Sequence, residues 1–314
     1  MQDKTMKINH KIISVLLALT GCVVLLSGCT TVAIYQSPVS QFQTSVNSAN
    51  NGIRTYLLGV NDVIARGSLY TEYRRTTNWV TADLANGIPD KEIRVRLQAL
   101  NTISAYANAL GAMAESKDVA NLQQAAQTLG TNINVLDATI KSLGPKNQWS
   151  VDLGDPVASL VSFFGTIDIE HRQKAALEKA IVQGATNVDA IIESLKRDAK
   201  IFAPVISAYE DQIWAGKLAN YDKLLKTAAP RDVDSLVNEC LADYDSIQSL
   251  KNAQMTSLLD DMEDAHKALV VFAKSSKRPK DLSDLADQID VFAAHVQLFN
   301  NALSSIQLAI NPSK

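Results

Sequence analysis

Glycine, proline and aromatic residues are scarce in this chain of 314 residues, which has 13 glycines, 8 prolines and 6% aromatic residues. It also lacks any convincing run of alternating apolar and polar residues, so the sequence predicts no β-strand. Alanine, leucine, glutamine and lysine are plentiful instead, and these residues lose little side-chain freedom in a helix. The composition therefore predicts an all-α protein.

An excess of positive charge is also missing, because the formal net charge is −3. A nucleic-acid-binding protein would show a basic face, and the sequence gives no sign of one. Disorder is excluded as well, since 46% of the residues are hydrophobic and 20% are charged. The chain can bury a core, and its weak acidity mainly favours solubility.

Recognisable catalytic motifs are absent from the sequence, including a glycine-rich phosphate loop, a G-x-S-x-G elbow and an H-E-x-x-H zinc motif. After the leader, three histidines remain: His171, His266 and His295. A carboxylate–histidine metal site is conceivable around His266, which follows an acidic run, but a solvated helix face is the preferred interpretation. His171 is expected on a helix surface and His295 at a packing position. We therefore expect no enzyme activity, no metal and no cofactor.

The N-terminus has the organisation of an export signal. Lys4, Lys7 and Lys11 form a basic start, and an apolar run follows from Ile12 to Leu26. A transmembrane helix needs about 20 apolar residues, and this run is shorter and has no basic cluster after it. A signal peptide requires a basic start, a short apolar stretch and small residues before the cut, which fits better.

The apolar run ends at Leu26-Ser27-Gly28-Cys29, which resembles the lipobox of bacterial lipoproteins at each of its four positions. The resemblance covers only the leader. It implies cleavage between Gly28 and Cys29, a diacylglyceryl thioether on Cys29 and acylation of the new amine. Residues 1–28 are thus predicted to be a lipoprotein signal peptide, and the chain to be lipid-anchored. Thr30 stands where an aspartate would imply inner-membrane retention in this family, so the resemblance implies the outer membrane, facing the periplasm.

The other two cysteines of the chain have to be considered beside Cys29. Leu19-Thr20-Gly21-Cys22 also matches the lipobox pattern, but cleavage before Cys22 would leave the apolar residues 23–26 exposed on the mature protein. If Cys29 is lipidated, Cys240 is a single remaining cysteine. It lies on an apolar stripe with Val233, Val237, Tyr244 and Ile247, so burial is predicted in preference to a reactive role.

The mature chain is predicted to consist of a tether, residues 29–40, and a helical bundle domain, residues 41–314, with a possible break at 144–155. Apolar residues recur every three or four positions almost throughout, and each such stripe, here called a seam, marks the buried face of a helix. The clearest seams are Val39, Phe42, Val46, Ala49, Ile53, Leu57, Val60 and Ile64; Ile93, Leu97, Leu100, Ile103, Ala107 and Leu110; Leu122, Ala126, Leu129, Ile133, Leu136, Ile140 and Leu143; and Leu285, Ile289, Phe292, Val296, Phe299, Leu303, Ile306 and Ile310.

Long helices with narrow seams bury them against one another in nearly parallel packing. The sequence therefore predicts an elongated antiparallel bundle of five to seven long, coiled-coil-like helices. Pro204 is expected to kink or split one of them. Residues 231–276 contain neither glycine nor proline, so one long helix is expected there.

Three segments are candidates for contact with a partner. Residues 156–167 are the most apolar part of the mature chain, either a membrane-inserting tip or the buried start of a central helix, and the second is preferred because of their amphipathic spacing. A basic group, Lys274, Lys277, Arg278 and Lys280, forms either a solvated turn or a contact for lipid phosphates or an acidic partner. An aromatic–arginine group, which forms either a partner surface or ordinary helix packing, comprises Tyr70, Tyr73, Arg74, Arg75 and Trp79.

Taken together, these features predict a non-catalytic lipoprotein of the cell envelope that binds another protein as a scaffold or adaptor. The alternatives are a membrane-active helical protein that inserts residues 156–167, and a metal-dependent enzyme. The expected partners are membrane lipid, through the acylated N-terminus, and an envelope protein of unknown identity. No nucleic acid is expected to bind.

Overall fold

The protein is all-α in the computed structural model, which describes residues 30–75, 87–115, 119–144, 155–156, 159, 173–252 and 254–310. Within these ranges there are seven α-helices, a short 3-10 helix and no strand. The helices are α1 Thr30–Arg75, α2 Asp90–Glu115, α3 Val119–Ser142, α4 Gln173–Thr227, α5 Val233–Asn252, α6 Met255–Lys274 and α7 Pro279–Ile310; the 3-10 helix is Pro230–Asp232. The prediction of an all-α fold built from long helices is confirmed.

Helix α1 lies in the middle of the bundle, where it packs against α2, α4, α6 and α7, while α3 packs on the outer side of α2. Helices α1 and α2 are antiparallel, because Gln43 bonds to Asn108 at one end and Asn61 bonds to the carbonyl of Ile88 at the other. The pairs α2–α4, α4–α6 and α6–α7 are also antiparallel.

Helices α1 and α4 run in the same direction through the bundle. The hydroxyl of Tyr35 donates to Glu178 over 2.8 Å near their starts, and the hydroxyl of Thr71 donates to Gln212 over 2.7 Å some 36 residues further along α1. The proximal end of the bundle is defined here as the end at which α1, α4 and α7 begin and α2 and α6 end. The opposite end is called distal.

The predicted seams form the core of this bundle. All eight seam residues predicted for α1 are buried, as are the first six of the seam predicted for α7. In α3 the buried stripe consists of Leu122, Leu129, Ile133, Leu136 and Ile140, whereas Ala126 is half-buried. A 3.6-residue repeat places these side chains along one face, and that face packs against the neighbouring helix.

The predicted tether is wrong for residues 30–40, because α1 begins at Thr30 and these residues form its first turns. Tyr35, Pro38 and Val39 are buried there, and the Tyr35 ring lies 5.1 Å from that of Phe272 in α6. Tyr35 and Val39 extend the apolar repeat that includes Phe42, so the buried seam already begins at Tyr35. The polar residues around it led to the prediction of a tether. The bundle therefore follows position 29 without a spacer.

Two expected helix boundaries are also wrong. The expected split at Pro204 does not occur, because the 55-residue helix α4 continues through it, and the exposed position of Pro204 leaves the carbonyl of the preceding turn accessible to water. Residues 231–276 form two main helices instead of one, because Gln254 adopts an extended conformation immediately before α6. Since neither glycine nor proline lies at this break, the residue types gave no indication of it.

Candidate functional site

The predicted lipidation site precedes the first described helix directly. Gly28, Cys29 and the signal peptide lie outside the described residues, so cleavage and acylation remain predictions. Tyr35 is six residues after Cys29 in the chain and lies at the proximal end. Among the residues that the structure describes, no helix is long and apolar enough to cross a membrane.

A buried polar network centred on His266 joins three helices inside the bundle. The imidazole of His266 in α6 is 0% exposed, and its Nδ1 lies 2.7 Å from a carboxylate oxygen of Asp189 in α4. Its Nε2 lies 3.0 Å from the hydroxyl of Tyr106 in α2. The ring of Phe42 in α1 stacks on the imidazole with a centroid distance of 6.0 Å. The expectation that His266 occupies a solvated helix face is therefore wrong.

The direction of the hydrogen bonds in this network follows from the state of the phenol. Burial, together with the nearby charge of Asp189, raises the pKa of Tyr106 far above its ordinary value, so the hydroxyl keeps its proton. The carboxylate of Asp189 can only accept, so the Nδ1–H of His266 donates to it, and in the neutral imidazole of that tautomer Nε2 accepts from the hydroxyl of Tyr106. Because the imidazole is fully enclosed, we assign it the role of fixing the register of α2, α4 and α6.

The helical spacing of apolar residues, which predicts the seams, also indicated that His266 would be buried. His266 follows Leu259 by seven residues and precedes Leu269 by three, so it lies on the buried stripe of α6. The acidic residues before His266 nevertheless led to the prediction of a solvated helix face. Arg96 in α2 is a second polar residue on a buried stripe, since it lies three residues after Ile93 and four before Leu100.

An enclosed ion pair connects α2 to α4 further towards the distal end. The guanidinium of Arg96 donates from two nitrogens to the carboxylate of Asp198, with an Nη2–Oδ1 distance of 2.7 Å, and both side chains are buried. Glu92, one turn earlier in α2, lies 3.6 Å from the same guanidinium. Two parallel hydrogen bonds hold Arg96 and Asp198 in a single geometry.

A second charged cluster connects α4 to α6. The ammonium of Lys196 contacts Glu193, Asp260 and Glu263, and Glu263 also accepts from Lys267. Burial alone would lower the pKa of Lys196, but its three carboxylate partners raise that pKa above the ordinary value. Burial alone would raise the pKa of Glu263, but hydrogen bonds from Lys196 and Lys267 leave that pKa below the ordinary value. Lys196 and Glu263 are therefore held in their charged forms around neutral pH.

The predicted basic group lies in and on both sides of the α6–α7 loop at the proximal end, from the last residue of α6 to the first turn of α7, and its members differ in exposure. Lys277 adopts a left-handed backbone conformation with φ of 61°, and its ammonium donates to the carbonyls of Ala273 and Ser275 over 2.7 and 2.9 Å. That ammonium also lies 3.3 Å from Glu178 and 5.9 Å from the ring centroid of Tyr35. The other three basic residues of the group are exposed.

The remaining candidate residues lie apart from one another. Cys240 in α5 is half-buried, and Val237 and Tyr244 of its stripe are exposed, so the prediction of burial is wrong for this stripe. His295 is half-buried and bonds to Asp261, in partial agreement with the packing position expected for it. The side chains of the aromatic–arginine group, His171 and nearly all of residues 156–167 lie outside the described part of the chain.

The distal end carries an exposed helical hairpin, defined here as residues 214–252. It comprises the end of α4, the 3-10 helix and α5, and Gly216 is its one buried residue among those whose burial is described. Val237, Leu241 and Tyr244 are exposed at spacings of four and three residues in α5, with Leu241 54% exposed. This spacing aligns them along one face of the helix.

Comparison with known proteins adds no family to this description. No family model, no curated protein and no solved structure matches the chain. Within the described ranges, no group of three or more histidine, cysteine, aspartate or glutamate side chains is arranged to hold a metal ion.

Proposed function

We propose that this protein is a non-catalytic lipoprotein of the cell envelope, anchored through Cys29, which presents the distal hairpin to a protein partner. The observation that carries the proposal is the direction of the helices. Helices α1 and α4 both begin at the end that follows Cys29, and α4 continues into the hairpin. Lipid at position 29 would therefore lie at one end of the molecule and the hairpin at the other.

The length of the helices supports a role in reaching away from a membrane. At about 1.5 Å per residue, the 46 residues of α1 span roughly 70 Å and the 55 residues of α4 roughly 80 Å. Because α1 begins directly after the anchor position, this reach comes from packed helices and not from a flexible linker. The proposed location is the outer membrane, with the bundle in the periplasm.

The exposed face of α5 is the surface that we assign to the partner. Val237, Leu241 and the exposed part of Tyr244, whose ring also packs against Trp214, offer an apolar stripe of the kind that a second amphipathic helix covers. Charged residues are depleted at the centres of protein interfaces, and this stripe carries none. Leu218, in the part of α4 that pairs with α5, adds a further exposed apolar side chain.

The proposal is tested by cross-linking in living cells. A photo-reactive amino acid at Leu241 is expected to capture one protein reproducibly, and the yield should fall when Cys29→Ser removes the anchor. The matched control is the same probe at Val271, an exposed apolar position of α6 outside the hairpin. Equal capture from both positions would contradict the assignment of the hairpin, and a mature protein without acyl chains on Cys29 would contradict the anchor.

A further inference from the structure

The α6–α7 loop lies close to the position that precedes α1. Tyr35 joins the two regions, because its ring packs against Phe272 of α6 and lies under the ammonium of Lys277, while its hydroxyl donates to Glu178. Tyr35 follows Thr30, the first residue of α1, by five residues, which corresponds to about 8 Å along the axis. The loop therefore lies near any membrane surface that holds lipid attached to Cys29.

Internal contacts give this loop a defined shape. Lys277 turns inwards and binds the last carbonyls of α6, and its backbone N–H donates to the hydroxyl of Ser275 over 3.0 Å. The next helix is capped by Asp281, whose carboxylate accepts from the backbone N–H of Arg278 over 2.9 Å. With Lys277 directed inwards, the exposed basic side chains are those of Lys274, Arg278 and Lys280.

The charge of this loop is opposite in sign to that of the chain as a whole. Residues 274–284 contain four basic and two acidic side chains, whereas the formal charge of the chain is −3. Arg278 pairs with Asp281 and Lys280 with Asp284, yet the basic side chains of these pairs are 71% and 77% exposed. Exposed pairs contribute little free energy, so a phosphate at the surface can share or replace the carboxylate partner.

From this placement we infer that Lys274, Arg278 and Lys280 bind the phosphates of anionic phospholipid headgroups in the membrane that holds Cys29, and so orient the bundle away from that membrane. The inference rests on the proposed anchor. A single point of attachment at position 29 would leave the tilt of the bundle free, whereas a second contact beside it restricts the tilt. Attraction between basic side chains and an anionic surface extends over roughly 10 Å at 0.1 M salt, which is comparable to the distance estimated above.

The test uses the full-length protein, purified from the membranes of cells that express it and reconstituted in vesicles. One set of vesicles is phosphatidylcholine alone, and the other contains phosphatidylglycerol as well. A spin label at Ser276→Cys in a Cys240→Ala background reports on the loop, and a label on the native Cys240 reports on the distal hairpin. Collision with a nickel chelate attached to lipid headgroups measures how much of each label lies at the membrane surface.

The variant that removes the basic group is Lys274→Gln with Arg278→Gln and Lys280→Gln. Its matched control removes the same charge from exposed positions of α4, by Lys200→Gln, Lys223→Gln and Lys226→Gln. We expect the loop label to lie at the surface in the anionic vesicles. Each basic residue near an anionic surface raises the binding constant for that surface about fivefold, and Asp281 and Asp284 already satisfy part of this attraction. The loop variant should therefore shift the equilibrium between membrane-bound and free loop roughly tenfold towards the free state.

Each outcome decides a different point. Mass spectrometry of the purified protein reports on Cys29 first, and a chain without acyl groups would overturn both the proposed anchor and this inference. An acylated chain whose loop label is equally distant from both kinds of vesicle would overturn the inference alone. It would also be overturned if the α4 control variant displaced the loop as much as the loop variant does.

Discussion

The body of the molecule and its distal hairpin are held together by different kinds of contact. The body, here α1–α3, α6, α7 and α4 up to residue 213, encloses the apolar seams, the His266 network and the Arg96–Asp198 pair. In the hairpin, α4 and α5 meet through the rings of Trp214 and Tyr244, 5.3 Å apart, and through polar contacts to Asp243. The body encloses its contacts, whereas those named in the hairpin are partly exposed, and α5 also packs against α7.

This difference has consequences for stability and for function. Burial of apolar surface supplies most of the free energy of folding, so we expect the body to unfold cooperatively. A segment with few buried contacts opens locally at a lower free energy, and binding surfaces are often found in such segments. The division matches the proposal that the body fixes the position and orientation of a more adaptable hairpin.

The largest expected effect is that of Asp198→Asn in the body. The change removes the buried carboxylate that accepts two hydrogen bonds from Arg96, and only the more distant carboxylate of Glu92 then faces the guanidinium. Broken buried pairs cost about 3–5 kcal/mol in the free energy of unfolding. Urea unfolding followed by circular dichroism measures the change. Asp222→Asn, which removes the exposed partner of Lys226 at the hairpin end of α4, should cost less than about 1 kcal/mol. Similar losses from both variants would contradict the contrast between the two regions.

The His266 network should give the next largest effect. His266→Phe keeps an aromatic ring between the helices but removes the hydrogen bonds that the imidazole makes with Tyr106 and Asp189, at a cost of about 2–3 kcal/mol. Tyr106→Phe removes one hydrogen bond and should cost about 1 kcal/mol. Because both residues belong to one network, the double variant should cost less than the sum of the two. Additive losses in urea unfolding would show that the hydrogen bonds act separately.

A pair of glycines in α1 tests how closely the body is packed where α1 meets α4. A Cβ on Gly67 would lie 2.7 Å from the carbonyl oxygen of Tyr209 and 2.9 Å from its Cα, so Gly67→Ala should destabilise by about 1–3 kcal/mol. A Cβ on Gly59 meets nothing within 4 Å, so Gly59→Ala should stabilise by about 0.5–1 kcal/mol through helix propensity alone. Changes of the same sign in the urea midpoint would contradict this description of the α1–α4 contact.

The sequence predicted the fold through its apolar periodicity, and it failed where polar residues occupy buried positions. The seam of α1 was predicted residue by residue, since each apolar side chain in it needs only a neighbouring helix to bury it. His266, Arg96 and Asp198 need a specific partner 77 to 102 residues away, and no local pattern reveals that partner. The prediction for Cys240 was wrong in the opposite direction, because its apolar stripe was expected to be buried and is partly exposed. An apolar stripe is buried only if another helix covers it.

The smallest expected effect on global stability belongs to the hairpin itself. Asp243 accepts from Lys217 over 2.7 Å and from the hydroxyl of Tyr221 over 3.0 Å. Burial and the bond to Asp243 raise the pKa of Tyr221, so this hydroxyl remains a donor throughout the neutral range. Asp243→Asn weakens both contacts and should change the free energy of global unfolding by about 1 kcal/mol or less.

The local effect of Asp243→Asn should be larger than the global one. If the hairpin opens separately, a loss of about 1 kcal/mol speeds amide hydrogen exchange roughly fivefold in residues 214–252 and leaves exchange in the body unchanged. Hydrogen exchange read by mass spectrometry separates the two regions, and Asp222→Asn on the exposed side of α4 serves as the matched control. Faster exchange throughout both regions would mean that they unfold as one unit. The hairpin would then be a rigid extension of the body, and partner binding would have to use the shape that it already has.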